Sequence, residues 1–255
     1  MKSNMNPWWW IPTLYFAEGL PYFIVNNISV IMFNNMGMPK GEMALYTSML
    51  YLPWVIKPLW SPFVDIIKTK RWWISAMQII MSAAFALLAF SLPHPSADVI
   101  AEGVTSVSLF KLTLVLFWIT AFASATHDIA ADGFYMLGLD TGTQAEFVGI
   151  RSTFYRLSNI FGQGVLVAIA GWVELEYNDI PLSWNVTLIV ATVIFALVTV
   201  YHLFIIPKPD ADRPTIEGKA TAGAIFAEFG RSFKTYFMKK GVWLAIIFML
   251  CYRLP

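Results

Sequence analysis

Apolar stretches of about 20 residues recur along this 255-residue chain and limit its possible folds more than any other feature. A stretch of that length crosses the hydrocarbon core of a bilayer as an α-helix, whereas a strand of a membrane barrel needs only ~10 residues. The composition agrees, because 58 % of the residues are hydrophobic and only 13 % are charged. A soluble domain carries roughly twice that charged share. The sequence therefore predicts an all-α integral membrane protein.

The pattern predicts six membrane-spanning helices and the start of a seventh. The six spans are expected at residues 8–33, 44–66, 72–92, 110–139, 148–173 and 184–206. Residues 1–206 then form a six-helix bundle, and residues 207–240 form a linker with an amphipathic helix whose aromatic face includes Phe229 and Phe233. Residues 241–255 supply about 15 residues of a seventh span, short of the ~20 that a full crossing needs. The plan is that of one bundle joined to a second bundle that is missing.

The basic residues predict the orientation of the bundle. Of the 17 Lys and Arg residues, 13 are expected on the side of the N-terminus and the linker, including Lys2 and Lys219. The loops of the opposite side carry Lys40 and Lys111. Because positively charged loops stay in the cytosol, the N-terminus and the linker are expected to be cytosolic.

Charged residues within the spans are the strongest functional signal. Glu18, Lys57, Asp128 and Arg156 each lie about 8–10 residues from a cytosolic span end, which places them at a similar depth at 1.5 Å per residue. Asp132 follows Asp128 by one helical turn and can share Arg156 or Arg151. Charges inside a membrane tend to pair and to mark transport pathways. These five residues, Glu18, Lys57, Asp128, Asp132 and Arg156, are therefore predicted to form a proton and charge network.

Three interpretations of the segment around Asp128 stay open. Asp128, Asp132 and His127 could bind a metal, but His127 points about 100° away from Asp128 around a helix, and His94 and His202 are expected at the membrane edges. An ion pair of Asp128 with Lys57 or Arg156 could simply hold the bundle together. Alternatively, Glu18 or Asp128 takes up a proton as the transport site alternates. No metal and no cofactor are predicted.

Intramembrane amides are the candidates for substrate contact. Asn26, Asn27, Asn159 and Gln163 suit sugar hydroxyls or interhelical hydrogen bonds, and His127 is a further candidate for the pocket. Gly19 and Pro21 predict that the first span is kinked or unwound just after Glu18, either as part of a site or as a tolerated proline kink.

Five motifs carry a family resemblance over essentially the whole chain. In order they are "YFAEGLPYFI", "WVIKPLWSPFVD", "ASATHDIAADGF", "FYRLSNIFGQG" and "LCYRLP". Together they resemble the AmpG-like muropeptide permeases, a branch of the major facilitator superfamily that is also similar to acetyl-coenzyme A transporters. The loop "SPFVDIIKTKR" resembles the acidic-then-basic signature of that superfamily without its initial glycine, which makes Asp65, Lys70 and Arg71 candidates for a gating loop.

The resemblance implies a secondary active transporter in the bacterial inner membrane. Its expected activity is proton-coupled import of N-acetylglucosaminyl-anhydromuramyl species, and the alternatives are another oligosaccharide or acetyl-coenzyme A. An enzyme is not expected, because no nucleophile or metal constellation is visible. No nucleotide-binding loop of the G-x-x-x-x-G-K-[ST] kind occurs either. The expected partners are a small glycan substrate, protons and lipid; a nucleic-acid partner is not expected, and the protein is expected to be a monomer.

Overall fold

A computed structural model describes residues 5–215 and 221–253 of the chain, and these residues form helices and no strand. The α-helices are, in chain order, α1 (Ile11–Phe23), α2 (Ser29–Asn35), α3 (Lys40–Met49), α4 (Leu52–Ile56), α5 (Ser61–Ile67), α6 (Lys70–Ser91), α7 (Ala97–Glu102), α8 (Lys111–Gly138), α9 (Thr141–Ile160), α10 (Val167–Tyr177), α11 (Ile180–Ile205), α12 (Ala222–Met238) and α13 (Val242–Arg253). The prediction of an all-α membrane fold is confirmed.

Five helical segments of the described residues are long and apolar enough to cross a membrane. They are Pro7–Asn35, Lys70–Ser91, Val107–Gly138, Thr141–Tyr177 and Ile180–Ile205. They correspond to the first, third, fourth, fifth and sixth predicted spans.

The second predicted span, residues 44–66, is not one helix, and this part of the prediction was wrong. The chain there forms α3, α4, a 3-10 turn at Lys57–Leu59 and α5. Pro53, Pro58 and Pro62 explain the breaks, because proline lacks the N–H that an α-helix needs and clashes with the preceding turn. The broken segment still lies along α8, where the Trp60 indole donates to the Thr126 hydroxyl at 3.2 Å.

Helix α8 lies at the centre of the bundle and packs against α6 and α1, while α6 also packs on α11 and α1 on α9. Two apolar clusters fill the interior. One contains Phe33 and Phe117, and the other, towards the expected cytosolic side, contains Trp10 and Phe134. Along α8 the first cluster ends at Ala123 and the second begins at Ala130. Between these positions lie His127 and Asp128, so the polar side chains occupy a level between two apolar layers.

Two π-helical turns interrupt the first and fifth spans. One covers Ile24–Ile28 in the first span, and the other covers Phe161–Leu166 in the fifth. The turns pack against each other, and a side chain at Gly162 would lie 3.6 Å from the Ile28 Cδ1 atom. Helix α1 itself continues through Pro21, so the irregular turn begins three residues later than the kink that the sequence suggested.

The amphipathic helix predicted in the linker corresponds to α12, which packs on α5. The ring of Phe229 stacks on Phe63 at a centroid distance of 4.6 Å, and Phe226 contacts the same ring edge-on. Helix α13 begins the seventh expected span. Residues 1–4, 216–220 and 254–255, which include Lys2 and Lys219 of the orientation argument, lie outside the described residues. The division at residues 206 and 240 stays a prediction.

Candidate functional site

A cavity of about 320 Å³ opens between the first, second, fourth and fifth spans. Its walls consist of three charged residues and four aromatic ones: Glu18, Lys57, Asp128, Tyr22, Tyr51, Trp54 and Tyr155. The three charged residues were predicted to share a depth in the membrane, and the structure brings them to one cavity.

Lys57 and Asp128 form the central ion pair of this cavity. The Lys57 ammonium donates to Asp128 Oδ2, which is the contact that the sequence offered as one of two possibilities. Lys57 begins the 3-10 turn Lys57–Leu59, which contains Pro58, so the helix break presents the Lys57 side chain to α8. The Lys57 side chain is 34 % exposed and that of Asp128 is 15 % exposed. The cation is therefore the more accessible partner.

Glu18 lies deeper, on α1. Its residue is 7 % exposed, and its Oε2 atom has no hydrogen-bond partner among the described residues. The carboxyl group lies near enough to Asp128 to interact with it directly. Gly19 allows this arrangement, because a Cβ atom there would lie 2.1 Å from Ser158 Oγ and 3.0 Å from the Tyr155 carbonyl oxygen. The absence of a side chain at Gly19 brings α9, and Tyr155 with it, against α1.

Asp132 has its own cation one turn closer to the expected cytosolic side. Arg151 donates to Asp132 Oδ1 at 2.6 Å, and the Tyr15 hydroxyl donates to the same oxygen at 3.1 Å. The Arg151 guanidinium also lies over the rings of Tyr15 and Tyr135, at 4.5 and 4.9 Å from their centroids. A cation over an aromatic face is attracted by the ring quadrupole, so Arg151 is held from several sides.

Arg156 does not join the network, although its depth suggested that it would. The residue is exposed, and among the described residues it makes no salt bridge. Arg151 and Arg156 are five positions apart on α9, which places them about 140° apart around the helix axis. Only one of them can face α8, and it is Arg151. The network at this level thus contains three carboxyl groups and two cations.

The aromatic wall of the cavity was missed by the sequence analysis. Trp54 meets Tyr22 edge-on at 5.1 Å and lies nearly parallel to Tyr51 at 6.5 Å between ring centroids. Tyr155 closes the wall at 6.4 Å from Tyr22. The available signal was spacing: Tyr22 follows Glu18 by four residues, and Trp54 precedes Lys57 by three, which are the separations that share a helix face.

The intramembrane amides do not line this cavity. Asn26 donates to the Tyr22 carbonyl of its own span at 3.0 Å, and Gln163 donates to Asn159 at 2.5 Å. Asn26 and Asn27 lie in the first π-helical turn and Gln163 in the second. Helix irregularities of this type recur at functional sites. These four residues therefore stay predictions for substrate contact elsewhere along the pathway.

His127 faces the opposite side of α8, in a buried polar chain. Its Nε2 atom lies 2.9 Å from Gln78 Nε2, which is also 2.9 Å from His202 Nδ1. His202 Nε2 in turn lies 2.9 Å from the Thr13 hydroxyl. The expectation that His202 lies far from the level of His127 was wrong, because Gln78 joins the two rings and both histidines are fully buried. The residues described contain no cluster of three or more side chains that could hold a metal ion.

The predicted gating loop joins three elements at the expected cytosolic end. The Lys70 ammonium pairs with Asp65. The Arg71 side chain donates to the Leu203 and Ile206 carbonyl oxygens, which are free because α11 ends there. The Asp212 carboxylate of the linker accepts from the backbone N–H groups of Lys70 and Arg71 at 2.6 and 2.9 Å. The loop therefore holds the start of α6, the end of α11 and the linker together.

Comparison with known proteins identifies the family to which this chain belongs. Residues 13–254 match the family model of the Major Facilitator Superfamily. The chain belongs to that superfamily. Its members are membrane transporters of small molecules, so the protein is a multi-pass membrane protein of a transporter family.

Two fungal relatives are similar over much of the chain. An uncharacterized membrane protein of Saccharomyces cerevisiae is 22 % identical over 231 residues, which cover 80 % of this chain and 40 % of the relative. An uncharacterized protein of Schizosaccharomyces pombe is 29 % identical over 153 residues, which cover 56 % of this chain and 28 % of the relative. The chain spans less than half the length of either relative.

Proposed function

We propose that this chain belongs to a secondary active transporter that couples the movement of its substrate to protons. The observation that carries the proposal is the composition of the charge network: in the described part of the chain, the basic side chains that face Glu18, Asp128 and Asp132 are Lys57 and Arg151. Uncompensated charge inside a membrane is unfavourable. One bound proton brings the three carboxyl groups and two cations to neutrality, and Glu18, which has an unpartnered oxygen, is the site that we assign to it.

The proposed substrate is a muropeptide of the N-acetylglucosaminyl-anhydromuramyl type, imported across the bacterial inner membrane with the N-terminus in the cytosol. The support is the set of motifs that resemble the AmpG-like permeases, since four of them surround the cavity. "YFAEGLPYFI" supplies Glu18 and Tyr22, "WVIKPLWSPFVD" supplies Trp54 and Lys57, "ASATHDIAADGF" supplies Asp128, and "FYRLSNIFGQG" supplies Tyr155.

A specific observation favours keeping acetyl-coenzyme A as the second candidate. Both relatives described above come from yeasts, and fungal cells have no peptidoglycan from which muropeptides could be released. The motifs resemble acetyl-coenzyme A transporters as well, so one charge network can serve either substrate.

Uptake by the full-length protein in proteoliposomes tests the proposal. We expect labelled N-acetylglucosaminyl-anhydromuramic acid to accumulate when the outside is acidic, and a protonophore to abolish the accumulation. Unlabelled anhydromuramyl sugar should compete, whereas a plain disaccharide should not. Competition by acetyl-coenzyme A alone would select the second candidate. Accumulation that does not depend on the pH gradient, or that persists in the Glu18→Gln variant, would contradict proton coupling.

A further inference from the structure

Of the residues that the structure describes, Lys57 is the one cation whose side chain lines the cavity. It is 34 % exposed, and among the described residues its only salt-bridge partner is Asp128. Arg151, in contrast, is held by Asp132 and by two aromatic rings. A small anion that entered the cavity would therefore meet one cation that it can reach, and that cation is held by a single competing carboxylate.

The aromatic wall stands directly beside this cation. Trp54 lies one turn before Lys57 and is partly exposed, and Tyr51, one turn earlier again, is 43 % exposed. Their rings are nearly parallel, with an interplanar angle of 26°. Tyr22 packs edge-on against Trp54 and fixes its orientation. Aromatic faces of this kind bind the flat or C–H-rich faces of ring compounds.

Resting on the function proposed above, we infer that Lys57 binds an anionic group of the substrate in exchange for Asp128, while Tyr51 and Trp54 hold a ring of the same molecule. The substrate class is a ring-bearing anion, such as a sugar acid or a nucleotide phosphate. Tyr22 is a positioning residue that acts through Trp54.

The exchange at Lys57 predicts that binding of one substrate anion is accompanied by uptake of one proton, and this uptake can be measured. When the substrate anion takes the Lys57 ammonium, Asp128 loses its cation, and the Asp128 carboxylate binds one proton that the buffered solution supplies. One negative charge and one proton thus enter the network together. Among the described residues, the titratable and charged groups around Asp128 are Glu18, Tyr22, Tyr51, Lys57, Arg151 and Tyr155 on other elements, and His127 and Asp132 on its own helix. None of these is a second cation free to replace Lys57, since Arg151 already holds Asp132.

Binding to the full-length protein in detergent, with no gradient, tests the exchange. The probes are two matched pairs: N-acetylglucosaminyl-anhydromuramic acid with its primary amide, and adenosine 3′,5′-bisphosphate with adenosine. In the wild type we expect the charged member of one pair to bind about tenfold or more tightly than the neutral member, as a hydrogen bond between charged groups typically allows. Lys57→Met combined with Asp128→Asn should remove that preference and keep the affinity for the neutral member.

A separate variant tests the proposal that the aromatic wall holds a ring of the substrate. Trp54→Ala should weaken both members of the pair by a similar factor, on the order of threefold to tenfold. Trp118→Ala is the matched control, because Trp118 lies on the outer face of α8 and does not line the cavity. This variant should leave both affinities unchanged. Calorimetry in two buffers of different ionisation enthalpy should show uptake of about one proton per anion in the wild type and none in the double variant.

The outcomes separate this inference from the transport function. A preference for the charged member that survives in the double variant, equal binding of both members by the wild type, or no binding of any probe would each overturn the anion exchange at Lys57. The first two results leave proton-driven uptake in proteoliposomes as proposed, because uptake requires binding but not a preference for the charged member; the third would also contradict uptake of the muropeptide. A preference shown by the nucleotide pair alone would keep the exchange and overturn the muropeptide assignment.

Discussion

At the scale of single residues, the charges of Lys57 and Asp128 compensate each other, so the stability of the protein depends on both residues together. Each neutralises the other at a depth where few alternatives exist, because Arg151 is engaged by Asp132. Removing one partner of a fully buried pair costs about 3–5 kcal/mol, whereas replacing both with neutral residues is often tolerated. Lys57 is one-third exposed, so the expected loss lies below that range.

We therefore expect Lys57→Met and Asp128→Asn each to lower the thermal unfolding temperature in detergent, and the double variant to recover most of the loss. The measurement is a melting curve for the wild type and the three variants. A double variant no more stable than either single variant would show that the two residues do not stabilise each other.

Gly19 determines how closely α9 approaches α1. Gly19→Ala places a methyl group against the Ser158 hydroxyl and the Tyr155 carbonyl oxygen, so the two helices must separate, at a cost of about 1–3 kcal/mol. We expect lower thermal stability and weaker substrate binding, because Tyr155 moves with α9. Gly171→Ala is the control, since a Cβ atom there meets nothing within 4 Å. Equal stability of the two variants would contradict the close contact.

At the level of elements, one amide connects three helices. Gln78 on α6 bonds to His127 on α8 and to His202 on α11. Such buried polar chains hold transmembrane helices in register, since lipid offers no replacement partners. Gln78→Leu should destabilise the bundle by about 1–3 kcal/mol for each histidine left unsatisfied. Melting curves for Gln78→Leu and for the control Gln163→Leu test this expectation, because the Gln163 side chain is exposed. Similar curves for the two variants would rule out a structural role for the hydrogen bonds of Gln78 to the two histidines.

The linker is attached to the bundle through the start of α6. Asp212→Ala removes the carboxylate that accepts from the first N–H groups of that helix, and we expect a loss of about 1 kcal/mol. Faster cleavage of the linker in limited proteolysis should accompany the loss. Asp179→Ala removes a similar acceptor at the start of α11, on the opposite side of the bundle. That control should lose comparable stability with no change in linker cleavage; faster cleavage in both variants would contradict a specific attachment.

On the scale of the whole molecule, we propose that the described bundle supplies one wall of a transport pathway. In transporters of this superfamily the site lies between two bundles that rock against each other. We expect purified residues 1–255 to show a helical circular-dichroism spectrum and a cooperative melting curve in detergent, but no substrate accumulation in proteoliposomes. The longer chain, prepared in the same way, is the positive control. Measurable accumulation by residues 1–255 alone would contradict the need for a second bundle.

The sequence by itself determined the class of the fold and the depth of the charged residues. A run of about 20 apolar residues has one stable form in lipid, and position along a span converts directly into depth. That is why Glu18, Lys57 and Asp128 could be predicted to share a level. The three prolines of the second span were a readable signal of helix breaks that the prediction did not use.

The tertiary structure alone decided which partners meet at that level. Depth leaves the rotation of each helix undetermined, so the choice between Arg151 and Arg156 depended on which face of α9 lies against α8. The same uncertainty hid the aromatic wall beside Lys57 and the bond from Gln78 to His202, since these contacts join residues far apart in the chain. Helix rotation is set by side-chain packing against neighbours, and a one-dimensional pattern of apolar and charged residues does not contain those neighbours.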